Sequence, residues 1–141
     1  MKKIFISSDH AGFKLKETIK DYLRNKKVKF EELGPKDDRS VDYPDYAHKV
    51  AKKVKLNKSN VVILVCGSGT GMNIAANKHK NIRAAQCFNL KSTKLSRLHN
   101  DANIITLGSR LITKKNALKF ISVFLKTKFD GGRHLRRIKK I

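Results

Sequence analysis

Cysteine is nearly missing from this chain: Cys66 and Cys87 are the only two among 141 residues. Two thiols make no disulfide framework, and neither stands at metal-ligand spacing, so a stapled secreted module and a bound metal are both unexpected. A reduced, cytoplasmic setting fits. No apolar run is long enough to cross a bilayer, and Ile4-Phe5-Ile6 behind Met1-Lys2-Lys3 is too short for a signal peptide. Repeats, linkers and low-complexity stretches are missing too, so residues 1–141 read as one domain with one core.

Acidic residues are in short supply, 11 against 33 Lys and Arg, for a formal charge of +22. That surplus invites a nucleic-acid reading, but no helix-turn-helix spacing, zinc pattern or RNA-binding aromatic signature accompanies it. Lysine outnumbers arginine, whereas specific base reading favours arginine. The lysines (Lys14, Lys16, Lys20, Lys49, Lys52, Lys53, Lys55) are spread over segments where helical spacing turns them to solvent. A solvated basic surface is expected, with no specific nucleic-acid partner and no membrane. Loose adhesion to polyanions at low salt, and some attraction of a phosphorylated substrate, would follow.

What is present centres on Val61-Val62-Ile63-Leu64-Val65-Cys66-Gly67-Ser68-Gly69-Thr70-Gly71. Five aliphatics in a row predict a short strand buried on both faces. The three alternating glycines predict a tight turn, and the Ala-rich stretch behind them a helix reaching about Lys80. Unpaired N–H groups at such a turn suit an anion, or an oxygen that becomes anionic during a reaction. A thiol held there would have a lowered pKa and serve as base or nucleophile. The glycines match neither a dinucleotide fingerprint, which needs Gly where Met72 stands, nor a Walker A loop, which needs Gly-Lys-Ser/Thr.

The other segments alternate in type. Strands are predicted at Lys3–Ser7, Val28–Leu33, Ile82–Cys87 and Asn103–Leu107, the second at a sheet edge because of Lys29, Glu31 and Glu32. Helices are predicted over Phe13–Asn25, from Pro44 to about Leu56, over Leu90–Leu98 and over Lys114–Lys128. His99-Asn100-Asp101-Ala102 reads as the exit of the fourth helix, and from about Phe129 a basic tail is expected to break away. Cys87 is expected to be a small buried hydrophobe in its strand. Five strands alternating with helices predict an α/β fold with a parallel, doubly wound sheet and ligands at the strands' carboxyl ends. Asp9-His10, Cys66 to Gly71 and Arg110 all fall there.

Single residues remain ambiguous on their own. Asp9 is either a helix cap with a surface histidine beside it or part of a site. His99 and His134, taken singly, suit exposed or satisfied histidines. Arg133-His134-Arg136-Arg137 is either a solvated face or, after Gly131-Gly132, a group suited to capturing a phosphate, even on a neighbouring subunit.

Taken together, the pieces resemble a family. Ser8-Asp9-His10-Ala11-Gly12-Phe13, Asp42-Tyr43-Pro44, Cys66 to Gly71 with Asn73-Ile74-Ala75-Ala76-Asn77-Lys78, Ile82-Arg83-Ala84-Ala85, His99-Asn100-Asp101-Ala102-Asn103 and Gly131-Gly132-Arg133-His134 resemble the type B ribose-5-phosphate isomerases. Isomerases of allose 6-phosphate and galactose 6-phosphate share that family. The resemblance runs collinearly from Lys3 to about Arg137. It implies a Rossmann-like three-layer α/β/α sandwich, working as a homodimer or dimer of dimers with sites built from both subunits, and needing neither metal nor cofactor.

It further implies that Cys66 is the general base shuttling a proton between C2 and C1 through a cis-enediolate, with Ser68, often Thr in the family, assisting. Gly67, Gly69, Thr70 and Gly71 would offer backbone donors, and His99 would open the furanose ring. Asp9 and Asn100 would touch sugar oxygens, and Tyr43 would wall the pocket. His10, Arg110, Arg133, His134 and Arg137 would hold the phosphate. The expected activity is interconversion of ribose 5-phosphate and ribulose 5-phosphate. A six-carbon 6-phosphate substrate, a nucleic-acid-binding protein on the same scaffold and a non-catalytic sugar-phosphate sensor are the alternatives.

Overall fold

Strand β3 (Val61–Cys66) runs through the middle of the molecule with all six residues buried, as its unbroken aliphatic run requires. The computed structural model describes residues 2–141 and surrounds β3 with β1 (Ile4–Ser8), β2 (Glu31–Glu32), β4 (Ala84–Gln86) and β5 (Ile104–Gly108). The sheet is parallel throughout in the order β2-β1-β3-β5-β4. Helices α1 (Phe13–Asn25), α2 (Tyr43–Leu56), α3 (Thr70–Ala76), α4 (Leu90–Asn100) and α5 (Lys114–Lys126) alternate with the strands, and a short α6 (Arg133–Ile138) closes the chain.

Two apolar clusters divide the core between the faces of the sheet. On one face Leu15, Ile19 and Leu23 of α1 and Phe120, Ile121 and Phe124 of α5 pack on Ile6, Ile63, Val65, Ile105 and Leu107. On the other, Val50, Ala51 and Val54 of α2 and Met72 and Ala76 of α3 pack on Phe5, Val62, Leu64 and Ile104. The result is the expected three-layer, Rossmann-like α/β/α sandwich. After β1 the chain moves outward to β2, then returns across β1 to β3. The order therefore reverses between β1 and β3, which opens a crevice at their carboxyl ends.

Several local expectations are corrected. β2 shrinks to two residues, because the Val28 N–H is spent on the Leu23 carbonyl at the end of α1. α3 ends at Ala76 rather than near Lys80: the Asn77 side chain turns to β4, donating to the Ala84 carbonyl and accepting the Ala84 N–H. β4 is confined to Ala84–Gln86, with Cys87 buried just beyond it. His99 and Asn100 lie inside the last turn of α4, not beyond it.

Lys16 and Lys20 do not face solvent. Lys16 is fully buried and Lys20 is 7% exposed; both donate to the Glu32 carboxylate, and Lys16 also reaches the Pro35 carbonyl. The basic C-terminus does not break away either. The Asp130 N–H donates to the Leu98 carbonyl at 3.1 Å, and α6 packs back on α4.

Candidate active site

The glycine turn after β3 is held from three sides. Gly69 has φ +79°, and a Cβ there would meet the Leu107 and Gly108 backbone at 3.0–3.1 Å, so only glycine lets the turn lie against β5. The Ser109 N–H donates to the Cys66 carbonyl at 2.8 Å and the Arg110 N–H to the Gly67 carbonyl at 3.0 Å. Gln86, at the end of β4, donates to the Ser68 carbonyl at 2.7 Å and to the Thr70 hydroxyl at 2.9 Å.

Within this frame Cys66 is 4% exposed, and its Sγ accepts the Gly69 N–H at 3.2 Å. One of the unpaired donors at the start of α3 is thus aimed at the sulfur. The Thr70 N–H goes to the Ser68 hydroxyl at 3.2 Å.

A cavity of about 310 Å³ opens beside the sulfur, lined by Asp9, His10, Ala11, Tyr43, Cys66, Gly67, Ser68, Gly71, Arg110 and Leu111. It lies at the crevice between β1 and β3, and its size suits a small phosphorylated sugar. Asp9 is both cap and cavity residue: its Oδ1 accepts the Gly12 N–H at 2.9 Å, while the residue lines the cavity. His10 accepts the Val41 N–H on Nδ1 at 3.2 Å, a contact that leaves Nε2 to carry the ring proton in the neutral tautomer. Arg110 lies over Gly67, its Nη1 3.2 Å from where a Cβ would stand. The cavity therefore joins a thiol and its donor, one carboxylate, one imidazole and one guanidinium.

Of the expected site residues, Asp9, His10, Tyr43, Cys66, Gly67, Ser68, Gly71 and Arg110 meet in this cavity, with Gly69 and Thr70 in the turn behind it. His99, Asn100, Arg133, His134 and Arg137 are not brought to it. α4 starts at the carboxyl end of β4 and runs back along the sheet, so its last turn lies at the amino ends of the strands. There His99 stacks on His134 of α6, ring centroids 4.3 Å apart. Loss of water first, then the charges of His99, Arg133 and Arg137, hold His134 below the usual imidazole value. One chain thus carries the expected site residues as two groups at opposite ends of its sheet.

Gln86, Ser109 and the Val41 N–H belong to the site and were not legible as such. Gln86 carried one signal, a polar side chain ending the apolar Ala84-Ala85 strand. Among the described residues, no group of three or more His, Cys, Asp or Glu is arranged to hold a metal ion.

Comparison with known proteins agrees with this geometry. The family described as Ribose/Galactose Isomerase matches residues 4–141. Ribose-5-phosphate isomerase B of Escherichia coli is 40% identical over 141 residues, covering 100% of this chain and 95% of its own. The ribose 5-phosphate isomerase of Thermotoga maritima superposes with a TM-score of 0.95 at 50% identity, covering 98% of this chain and 95% of its own. Ribose-5-phosphate isomerase B of Mycoplasma genitalium, solved with bound ribulose-5-phosphate, gives 0.94 at 45% identity, with 99% and 93% covered. A shared fold, a match along the whole described sheet and a thiol-bearing glycine turn at the switch point converge: the chain belongs to the ribose/galactose isomerase family.

Proposed function

We propose that this chain interconverts D-ribose 5-phosphate and D-ribulose 5-phosphate, a step of the non-oxidative pentose phosphate pathway. The observation that carries this reading is the Cys66 sulfur, under the Gly69 N–H and at the wall of a cavity that also holds Asp9, His10 and Arg110. The ribulose-5-phosphate bound to the Mycoplasma genitalium relative supports the same substrate class. Two free thiols suit the reducing cytoplasm.

Aldose–ketose isomerisation moves one proton between C2 and C1 while the carbonyl changes carbon. Cys66, as thiolate, takes the proton from one carbon and returns it to the other, so a single base serves both halves. Between the transfers the sugar is a cis-enediolate with charge on its oxygens. The Gly69 and Thr70 N–H groups are engaged by the Cys66 sulfur and the Ser68 hydroxyl, so the backbone donors for that charge are the Gly67 and Gly71 N–H groups, fixed before it appears; one such donor is commonly worth about 3 kcal/mol. The Ser68 hydroxyl and the Asp9 carboxylate handle the hydroxyls beside it.

His10 and Arg110 seat the phosphate from the same chain. The phosphate lies away from the reacting carbons, so its binding energy positions them. His99, which opens the furanose ring, and Asn100, Arg133, His134 and Arg137 come from a second copy, in a homodimer or dimer of dimers. The support is geometric: those residues stand at the wrong end of their own sheet to reach their own Cys66.

Cys66→Ala in a coupled ribose 5-phosphate assay tests the reading. Turnover should fall by about 10²–10⁴-fold, the range lost with an acid–base group, while Tm stays within a degree or two. Full turnover in the variant would overturn the role of Cys66. Parallel assays with allose 6-phosphate and galactose 6-phosphate separate the five-carbon substrate from six-carbon ones.

A further inference from the structure

The last turn of α4 is held by a group of charges that the proposed chemistry leaves unused. Asp101, directly after His99 and Asn100, takes the left-handed conformation (φ 45°, ψ 45°), which turns the chain sharply towards β5. Its carboxylate is shared by two arginines. Arg97 Nη1 donates to Asp101 Oδ1 at 2.8 Å, and Arg83 Nη2 reaches Oδ2 at 3.3 Å. Arg83 also caps the helix end, with Nε donating to the Asn100 carbonyl at 2.9 Å and Nη2 to the Asp101 carbonyl at 2.9 Å. Arg97 ties the same turn to the Ala102 and Thr127 carbonyls.

The fixings come from different parts of the chain. The Arg83 backbone is itself anchored, its N–H donating to the Asn103 side chain at 2.8 Å just before β4. Arg97 lies over the Phe124 ring of α5, 5.5 Å from its centroid. The side chains of Arg83 and Arg97 are 21% and 13% exposed and that of Asp101 39%, so the cluster is half-buried, and its charge-assisted bonds are stronger than neutral ones. A carboxylate at a helix C-terminus opposes the helix dipole, so its place there needs the two cations.

We propose that Asp101, clamped by Arg83 and Arg97, is a positioning residue that fixes the His99 imidazole in the orientation it needs to open the sugar ring. The proposal rests on the reading that His99 opens the furanose ring. His99 is two residues from the carboxylate, and Arg83 holds the carbonyl of Asn100 directly after it, so a loosened turn swings the His99 ring. Displacement of an acting group by about 1 Å is enough to cost tenfold or more in rate.

The experiment compares two readouts in Asp101→Asn, a change that keeps size and tolerates the left-handed backbone. The first is turnover of ribose 5-phosphate, which exists mainly as a ring. The second is exchange of the C1 proton of ribulose 5-phosphate with D2O. That ketose is open-chain, so its exchange needs loss of a proton to Cys66 and return of a deuteron, but no ring opening by His99. Turnover should fall about tenfold with KM within about twofold, while exchange stays within about twofold of the parent. Unchanged turnover, or equal loss of turnover and exchange, would overturn the proposal.

His99→Ala separates the two levels. Parental turnover in that variant would sink the role of His99 itself, whatever Asp101→Asn does. Loss in His99→Ala with none in Asp101→Asn would sink only the positioning role. Arg83→Lys, which keeps the charge and drops the fork, should show the same split more weakly. Failure of both Asp101→Asn and Arg83→Lys to fold would assign the trio to stability alone and overturn the proposal.

Discussion

His99 and His134 stack ring on ring, 4.3 Å between centroids and 15° between planes, although one belongs to α4 and the other to α6. The contact folds the C-terminal cations Arg133 and Arg137 onto the helix end that carries Asn100. On the proposed reading, a ring opener and a phosphate grip are thereby made into one half-site. On that reading the cavity around Cys66 is the complementary half, with the proposed base, its N–H donor, the His10 imidazole and the Arg110 guanidinium.

The stack sets up a linked titration. Burial, then His99, Arg133 and Arg137, disfavour the charged form of His134, so its pKa stands below the ordinary value. A bound phosphate dianion supplies the missing negative charge and should raise it. Binding then takes up a proton, and affinity weakens as pH rises through the value in the complex. An NMR titration of the His134 C2–H, with and without inorganic phosphate, should show the upward move. An unmoved titration would remove His134 from the phosphate site.

If the half-sites belong to different subunits, two dead variants should rescue each other. Cys66→Ala and His99→Ala, co-refolded in equal amounts, form mixed dimers in which one of the two sites has both residues intact. Random pairing restores about a quarter of parental turnover. No recovery, with mixed dimers demonstrated by mass, would place His99 and Cys66 in a site built within one chain.

Tyr43 and Gly71 are matched in shape. A Cβ on Gly71 would stand 2.6 Å from Tyr43 Cζ and 2.7 Å from Cε2. Tyr43 is 40% exposed and free to swing outward, so Gly71→Ala should cost no stability, and alanine is worth up to about 1 kcal/mol more in a helix. The cavity loses its wall instead. We expect an unchanged or higher Tm with KM raised about fivefold; an unchanged KM would show that Tyr43 does not border the substrate.

The sheet and the thiol-bearing turn were legible because their signals are local: an aliphatic run, three glycines, a run of small helix formers. Lys16 was not, because helical spacing speaks of one helix and its partner, Glu32, comes from a two-residue edge strand. Gly131-Gly132 read as a break, and their positive φ values of 66° and 55° do turn the chain. Where the turn leads, back onto α4, depends on His99 and Leu98, far away in sequence. The residues of the site could be named, but their division between two ends of the sheet follows only from the direction in which α4 runs.

Gln86 braces the glycine turn from β4 through its contacts to the Ser68 carbonyl and the Thr70 hydroxyl. Gln86→Leu keeps the bulk and removes both donors. On the proposed mechanism the amides of this turn must be in place before charge develops, so kcat should fall about tenfold with KM little changed. A kcat equal to the parent's would show that the turn is rigid without Gln86.

Glu32 decides the fate of a buried ammonium. Lys16 is fully buried, and Glu32→Gln would leave it with the Pro35 carbonyl and only the more distant Glu17 carboxylate, 3.9 Å away, as counter-charge, at a cost of about 3 kcal/mol. The pH dependence has a definite sign on each flank. Burial pushes the Glu32 carboxyl up, but hydrogen bonds from Lys16 and Lys20 outweigh it and hold the group below its ordinary 4.5. Its contribution is present above that value and lost as pH falls through the lowered one. Lys20, where bonds to Glu32 and Glu17 outweigh burial, is raised above 10.5; its contribution is present below that value and lost as pH rises through the raised one. Denaturant unfolding of parent and Glu32→Gln across pH should therefore give a stability gap that is level through neutrality and closes at both the acid and the alkaline extremes. A gap that persists unchanged into strong acid would mean that the carboxylate is not what Lys16 and Lys20 hold.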